Sequence, residues 1–151
     1  MRTDCMTTIE DLVAIEEIKR LKMRYCRLID ENRRAELREI VTADVVYEFE
    51  NFRKGKGADD FIGPIRPRAG GHKTLHRVFM PEIEVLPDTT ARGTWAMEDI
   101  IEHAPDSDQN GFRGYGRDIE EYRKVDGSWR IASIFATRVR IEALGERDTR
   151  E

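Results

Sequence analysis

The sequence predicts an α+β fold, because helical and strand patterns occupy separate parts of the chain. Apolar residues recur at three- and four-residue steps before residue 30, which is the period of an amphipathic helix. From residue 72 onwards apolar and polar residues alternate, as in antiparallel strands with one buried face. Helices that precede antiparallel strands are typical of the α+β class. We expect one domain over residues 8–142, with flexible tails at 1–7 and 145–151.

The composition indicates a soluble chain that binds neither nucleic acid nor a membrane. Its 26 basic and 30 acidic residues are well mixed and give a net charge of −4, without the basic stripe of nucleic-acid-binding proteins. No apolar run approaches the ~18 residues of a membrane span, and no signal peptide is visible. Cys5 and Cys26 form no metal-binding or redox spacing, so we expect a reduced, cytoplasmic protein.

The first helix is predicted from Thr8 to about Asp30. Thr7 or Thr8 can cap its N-terminus, and Asp11 is favourable in its first turn. One side of this helix is apolar and carries Leu12, Ile15, Ile18, Leu21, Tyr25, Leu28 and Ile29. A shorter second helix is predicted at 35–41.

The next stretch is predicted to form a strand at 45–52 and then a long loop at 53–71. Thr42-Ala43-Asp44 is expected to end the second helix before this strand. The loop holds five of the eleven glycines and two of the five prolines, with one helical turn expected at 58–62. Loops of this length are usually functional or disordered. The segment is therefore either a lid over a cavity or a plain surface excursion.

Two long strands joined by a turn at 87–90 are predicted between residues 72 and 103. In the second strand the apolar residues of one face are Ala91, Trp95, Met97 and Ile101. Asp99 and His103 lie on the same face, and polar groups among apolar ones suggest a cavity. Pro81 cannot donate to a strand ladder, which predicts a bulge or a sheet edge in the first strand.

The final hairpin is predicted from strands at 114–125 and 128–144, joined by a tight Asp126-Gly127 turn. Alternation along the last strand assigns one face to Trp129, Ile131, Ser133, Phe135, Thr137, Val139 and Ile141. The opposite face receives Arg130, Arg138 and Arg140. A strongly bent sheet packed on the first helix would leave a cone-shaped pocket.

Several pieces of the chain, taken in order, resemble the nuclear transport factor 2-like superfamily and its SnoaL-like polyketide cyclase and dehydratase branch. The pieces are IKRLKMRYCRLIDENRRAELREIVTADVVYEF, HRVFMPEIEV, ARGTWAMED and GYGRDIEEYRKVDGSWRIASI. The resemblance covers roughly residues 8–142 and implies a cystatin-like cone, with N-terminal helices packed on a strongly curved, mostly antiparallel sheet. The branch includes scytalone dehydratase-like and bile-acid dehydratase-like enzymes, isomerases, dehydrochlorinases, cyclases and non-catalytic members, so the fold alone does not settle function.

The same resemblance implies three catalytic residues. Several dehydratase-like members share a Tyr, an Asp five residues later and a His on a following strand, which match Tyr25, Asp30 and His76. A second Asp that often follows the first is absent here, and two arginines stand in its place. His103 is the nearest match to the second active-site His of scytalone dehydratase-like enzymes.

The residue types favour general acid–base chemistry. An Asp–His pair in an apolar cavity can act as a base, with Asp30 orienting His76 and Tyr25 serving as acid or polariser. Each residue also has a structural interpretation, because Asp30 can cap a helix, His76 can be a hydrogen-bonded strand histidine and Tyr25 can pack. The residues expected to contact substrate are Asp99, Trp95, Met97, Phe135 and His103. Asp99 can instead pair with an arginine, since a buried unpaired carboxylate is costly.

No cofactor or metal is expected, because three histidines without an HExxH motif make a weak zinc site. The expected partners are a small hydrophobic or polycyclic molecule and a second copy of the chain in a homodimer. The expected activity is that of a lyase, most simply a dehydratase, or of an isomerase or cyclase. The alternative is a non-catalytic ligand-binding or assembly module of the same fold.

Overall fold

The computed structural model describes residues 7–65 and 71–145, so the predicted tails fall almost wholly outside the described residues. The helices in this part of the chain are α1 (Ile9–Asp30), α2 (Arg34–Ile40) and α3 (Ala58–Ile62). The strands are β1 (Val41–Phe49), β2 (Arg53–Lys56), β3 (Lys73–Leu86), β4 (Thr90–Glu102), β5 (Gly111–Val125) and β6 (Ser128–Ala143).

The six strands form one sheet in the order β2-β1-β6-β5-β4-β3. Among the strands of the described residues, only β1 and β6 run parallel, and every other neighbouring pair is antiparallel. The sheet is not closed, because β2 and β3 are its two edges. Helix α1 packs against the inner face of this sheet, and their apolar side chains form the core. This arrangement is the predicted α+β cone.

The N-terminus of α1 is fixed by a capping box. The Asp11 backbone N–H donates to Thr8 Oγ1 at 3.1 Å, and the Thr8 backbone N–H donates to Asp11 Oδ2 at 2.8 Å. At the other end Asn32 adopts a left-handed backbone with φ 56°, which stops the helix. Both ends therefore agree with the predicted span, and the helix presents Asp30 as its last residue.

Strand β1 begins at Val41, earlier than the sequence predicted. Thr42-Ala43-Asp44 was expected to end a helix, but it lies within the strand because Val41 already pairs with Ile131 of β6. The register shift between Val41 and Val46 absorbs the extra residues. Part of the predicted loop is also wrong, because Arg53–Lys56 pairs with β1 as strand β2. The helical turn expected at 58–62 is confirmed as α3.

The hairpin of β3 and β4 agrees with the prediction at its turn and at Pro81. β3 ends at Leu86 and β4 begins at Thr90. Pro81 lies on an edge strand, within a register shift between Phe79 and Glu82. On β4, the expected alternation is present, with Ala91, Trp95, Met97 and Asp99 all buried.

The faces of β6 differ from the prediction beyond residue 131. Tyr122 of β5 pairs with Ile131 but Glu121 pairs with Ser133, so one residue of β6 bulges and the alternation changes phase. Ile134 and Ala136 are consequently buried, whereas Phe135 is 38% exposed on the outer face. Arg138 falls in phase with the buried residues and turns inward, contrary to the prediction that it lies on the opposite face.

Replacement of Thr8 by Ala removes the side-chain acceptor of the capping box. We expect the free energy of unfolding to fall by about 1 kcal/mol, which is typical of a lost N-cap. Urea denaturation followed by circular dichroism measures it. Thr7→Ala is the matched control, because Thr7 precedes the cap and is exposed. Equal losses in both variants would show that the capping box does not stabilise α1.

Candidate active site

The end of α1 is tied to edge strand β3 through Asp30 and His76. Asp30 Oδ1 lies 2.7 Å from His76 Nδ1, and the His76 backbone N–H donates to Asp30 Oδ2 at 3.0 Å. Thr74, two residues before His76, donates its hydroxyl to Asp30 Oδ1 at 2.9 Å. Three contacts therefore fix the carboxylate, and the imidazole cannot rotate without breaking one of them.

The second ring nitrogen of His76, Nε2, is available to accept a proton. With a proton on Nδ1, the contact to Asp30 is a hydrogen bond and Nε2 carries a lone pair. Within residues 7–65 and 71–145, no hydrogen-bond partner lies on Nε2. The side chains of His76 and Asp30 are 24% and 14% exposed, so a small molecule can reach the imidazole while water has limited access to the carboxylate.

An ion pair lies beside His76 on the inner face. His76 pairs across the strands with Asp99 of β4, whose side chain is only 1% exposed. Asp99 accepts hydrogen bonds from Arg138 of β6, through Nη2 and, at 3.4 Å, through Nε. Pairing compensates the buried carboxylate. A Cβ on Gly114, which lies opposite Asp99 on β5, would fall 2.2 Å from Asp99 Oδ1, so this glycine makes room for the pair.

Tyr25 lies on the buried face of α1 and is 7% exposed. Its ring stacks with Phe61 at a centroid distance of 6.4 Å, and the ammonium of Lys22 lies 4.7 Å from its centroid. Burial raises the pKa of Tyr25 well above its ordinary value, although Lys22 acts in the opposite direction. The phenol is therefore protonated at neutral pH, and its hydroxyl has no hydrogen-bond partner among the residues described.

The other predicted substrate contacts fall into three groups. Met97 and Trp95 lie buried on the inner face of β4, and Trp95 Nε1 donates to the Tyr122 hydroxyl at 2.8 Å. His103, beyond the end of β4, stacks on His72 with 6.3 Å between centroids. Phe135 lies on the outer face of the sheet, so the structure does not bring it together with Trp95 and Met97.

The sequence interpretation missed a buried charge cluster in the middle of the cone. Lys22 of α1 has no exposed side-chain surface, and its ammonium donates to Asp118 Oδ2 at 2.7 Å and to Glu120 Oε1. The Tyr122 hydroxyl donates to the second oxygen of Glu120. Burial alone would lower the pKa of Lys22, but Asp118 and Glu120 outweigh it and raise this pKa well above its ordinary value.

Signals for three missed residues were present in the sequence. Lys22 lies four residues after Ile18 and three before Tyr25, on the same apolar face of α1. Asp118 and Glu120 alternate in phase with Tyr122 along β5, which marks an acidic buried stripe. Arg138, by contrast, was hidden by the bulge in β6, because one extra residue reverses the direction of the side chains between the bulge and Arg138.

Two further structural observations concern metal-binding clusters and membrane-spanning helices. In the described part of the chain, no group of three or more His, Cys, Asp or Glu side chains could hold a metal ion. No helix among these residues is both long enough and apolar enough to cross a membrane.

The cone, with polar groups on its inner sheet face beneath the first helix, has the fold of the nuclear transport factor 2-like superfamily. The model of the SnoaL-like domain matches residues 10–134. The chain therefore belongs to the SnoaL-like family.

Solved structures with the same fold include three informative relatives. A protein from Novosphingobium aromaticivorans, assigned as a scytalone dehydratase, is 19% identical with a TM-score of 0.78 and covers 91% of each chain. A type 2 hexachlorocyclohexane dehydrochlorinase, LinA, is 17% identical with a TM-score of 0.77, over 93% of this chain and 95% of LinA. The dehydrochlorinase LinA-type3 from Novosphingobium barchaimii is 15% identical with a TM-score of 0.77, over 93% of this chain and 96% of LinA-type3. At these identities the likeness shows the shared fold.

Glu120 makes the stability of this protein depend on pH. Burial raises the pKa of Glu120 above its ordinary value of 4.5, with Lys22 opposing the shift. The folded state then binds more protons than the unfolded chain above pH 4.5, so stability falls as pH rises through this window. Glu120→Gln removes this titration, and we expect its free energy of unfolding to decline less as the pH rises above the ordinary value of 4.5.

Urea denaturation at a series of pH values measures this difference. Glu121→Gln is the matched control, because Glu121 is the exposed neighbour on the same strand. If the free energy of unfolding changed with pH by the same amount in wild type and Glu120→Gln, the prediction would be contradicted.

Proposed function

We propose that this protein catalyses a cofactor-free elimination or isomerisation on a small hydrophobic or polycyclic molecule, with dehydration as the leading reaction. The observation that carries the proposal is the 2.7 Å contact between Asp30 Oδ1 and His76 Nδ1. The contact gives a partly exposed imidazole an oriented carboxylate partner, which is the arrangement that a general base requires.

His76 acts as the base in this proposal. Nε2 takes a proton from a carbon atom of the substrate, and Asp30 stabilises the imidazolium that forms. A positioned general base contributes roughly 10²–10⁴-fold to the rate. The protein returns the proton to the product side, either to a leaving hydroxyl in dehydration or to another carbon in isomerisation.

The remaining polar groups have complementary roles. The unpartnered hydroxyl of Tyr25 donates to the carbonyl oxygen or leaving hydroxyl on which negative charge develops. Asp99 and Arg138 form a nearly neutral polar wall beside His76, and Met97 supplies an apolar contact in the next row of the sheet. We propose that Trp95 and His103, which lie on either side of Met97 and Asp99 along the chain, also contact the substrate.

The names of the related structures support a reaction of this class. A dehydratase eliminates water and a dehydrochlorinase eliminates hydrogen chloride, as the names of the relatives state. Both eliminations require a base for a proton on carbon. The alternative, a non-catalytic binding or assembly module, needs no such base.

A generic carbon acid tests the base without knowledge of the natural substrate. In 5-nitrobenzisoxazole, removal of the ring C–H proton breaks the N–O bond and releases a coloured cyanophenolate. We expect His76→Ala to lower the protein-catalysed rate of this reaction by about 10²-fold or more, and Asp30→Asn to lower it as well. The absorbance of the released phenolate measures the rate.

The matched control is Arg77→Ala, which alters the exposed neighbour of His76 on the same strand. Its rate should equal that of wild type, and melting temperatures should show that all variants fold. A His76→Ala variant that is folded and as fast as wild type would refute the base and leave the binding module.

We propose that the protein is a homodimer formed through the outer sheet face. Ile119 and Phe135 pair across β5 and β6 and remain 45% and 38% exposed, and Val46 nearby is 48% exposed. Contiguous exposed apolar side chains of this kind mark interaction surfaces. We also propose a cytoplasmic location, consistent with Cys26 as a buried free thiol whose pKa burial raises to about 12.

Phe135→Glu should convert the dimer to a monomer, because it places a charge at the centre of this outer surface. Size-exclusion chromatography with light scattering measures the mass. Phe52→Glu is the matched control, since Phe52 is 78% exposed in the turn before β2. A wild-type monomer, or a dimer that survives Phe135→Glu, would rule out this interface.

A further inference from the structure

We propose that Lys22 is a positioning residue for Tyr25, whose ring its buried ammonium holds in place and whose hydroxyl it makes a stronger hydrogen-bond donor. The inference rests on the proposed role of Tyr25 as the donor to substrate. It assigns a task to a charge that the general acid–base chemistry of the site does not otherwise use.

The geometry brings the cation onto the aromatic ring. Lys22 and Tyr25 are three residues apart on α1, so their side chains are neighbours on one face of the helix. The ammonium lies 4.7 Å from the ring centroid, well inside the range of about 6 Å for a cation–π interaction. Lys22 has no exposed surface, and a desolvated cation interacts with a ring more strongly than an exposed one.

The acidic partners fix the position of the ammonium. Asp118 and Glu120 both accept hydrogen bonds from Lys22, and the Tyr122 hydroxyl holds the second oxygen of Glu120. Tyr122 in turn accepts a hydrogen bond from Trp95 at 2.8 Å. Every member of this chain is buried, so the ammonium has no solvated alternative position.

The charges of Lys22, Asp118 and Glu120 act in opposite directions on the pKa of the Tyr25 phenol. Burial raises the pKa of the phenol, Lys22 lowers it, and Asp118 and Glu120 raise it further. Removing the ammonium alone would leave the phenol near two carboxylates with no cation between them. The ammonium therefore opposes the effect of burial as well as that of the two carboxylates, and a cluster without charges leaves the effect of burial on Tyr25 uncompensated.

A purely structural role makes a different prediction. In that case Lys22 only neutralises Asp118 and Glu120, and a cluster without charges would serve equally well. The triple variant Lys22→Met/Asp118→Asn/Glu120→Gln separates the two roles, because it keeps similar side-chain shapes and removes every charge. The amide at position 120 can still accept the Tyr122 hydroxyl.

The experiment uses the ring opening of 5-nitrobenzisoxazole, whose departing phenolate oxygen is the atom that Tyr25 would stabilise. Lys22→Met alone should lower the melting temperature, since two buried carboxylates lose their cation. The triple variant should recover the melting temperature but retain a kcat about 5- to 30-fold below wild type, the size of a desolvated cation–π contact. Its KM should stay within about twofold of wild type, because the donor acts mainly in the transition state.

A double-mutant cycle shows whether Lys22 acts through Tyr25. The triple change should have no further effect on kcat in the Tyr25→Phe background. Lys19→Met is the matched control, because it removes a lysine charge from the same helix outside the cluster.

The outcomes separate this inference from the proposed function. A folded triple variant with wild-type kcat, beside a slow Tyr25→Phe, would overturn the role of Lys22 alone. A wild-type kcat in Tyr25→Phe would refute the role of Tyr25 as hydrogen-bond donor, and the role of Lys22 with it. The role of His76 as base would not be affected, because His76→Ala tests it separately.

Discussion

The contact between Asp30 and His76 joins the two elements on which the site depends. β3 is an edge strand that pairs only with β4, and Asp30 at the end of α1 supplies it with three hydrogen bonds from a second direction. One of these bonds uses the His76 backbone and another uses its ring, so strand position and side-chain orientation are set together. The carboxylate that orients the imidazole is therefore also a structural joint between helix and sheet.

Buried charge is the second constraint, and the protein meets it in two ways. Asp99 takes one arginine from β6, which gives a balanced pair close to the solvent-accessible side of the site. Lys22 takes two carboxylates from β5, which leaves an excess of acid in the interior. Burial, with a smaller contribution from Asp118, raises the pKa of Glu120. The Asp99–Arg138 pair balances its charges by contact alone. In the Lys22 cluster, the raised pKa of Glu120 means that this carboxyl group can hold a proton where a second cation is absent.

The sequence predicted features that depend on local chemistry and missed those that depend on distant partners. The helix cap at Thr7 or Thr8, the break at Pro81 and the tight turn at 126–127 each follow from a few adjacent residues, and all are present, with Thr8 as the cap. The pairing of Asp30 with His76 came from a family resemblance, because 46 residues separate them. The inward turn of Arg138 could not be predicted, since a one-residue bulge in β6 depends on register with β5. Lys22 was missed because its acidic partners are nearly one hundred residues away.

One helix carries the proposed donor and the residue that orients the proposed base. Tyr25 and Asp30 are both on α1, so the distance between them is set by helix geometry and cannot vary independently. What remains adjustable is how the helix rotates about its axis over the sheet. The Lys22 cluster resists that rotation at the middle of α1, and Asp30 resists it at the end. Because Asp30 still fixes the end of α1 when the cluster at positions 22, 118 and 120 is neutral, His76 should keep its position. The two kinds of variant should consequently differ: loss of Asp30 disturbs the base, whereas loss of the ammonium weakens the donor and leaves the base intact.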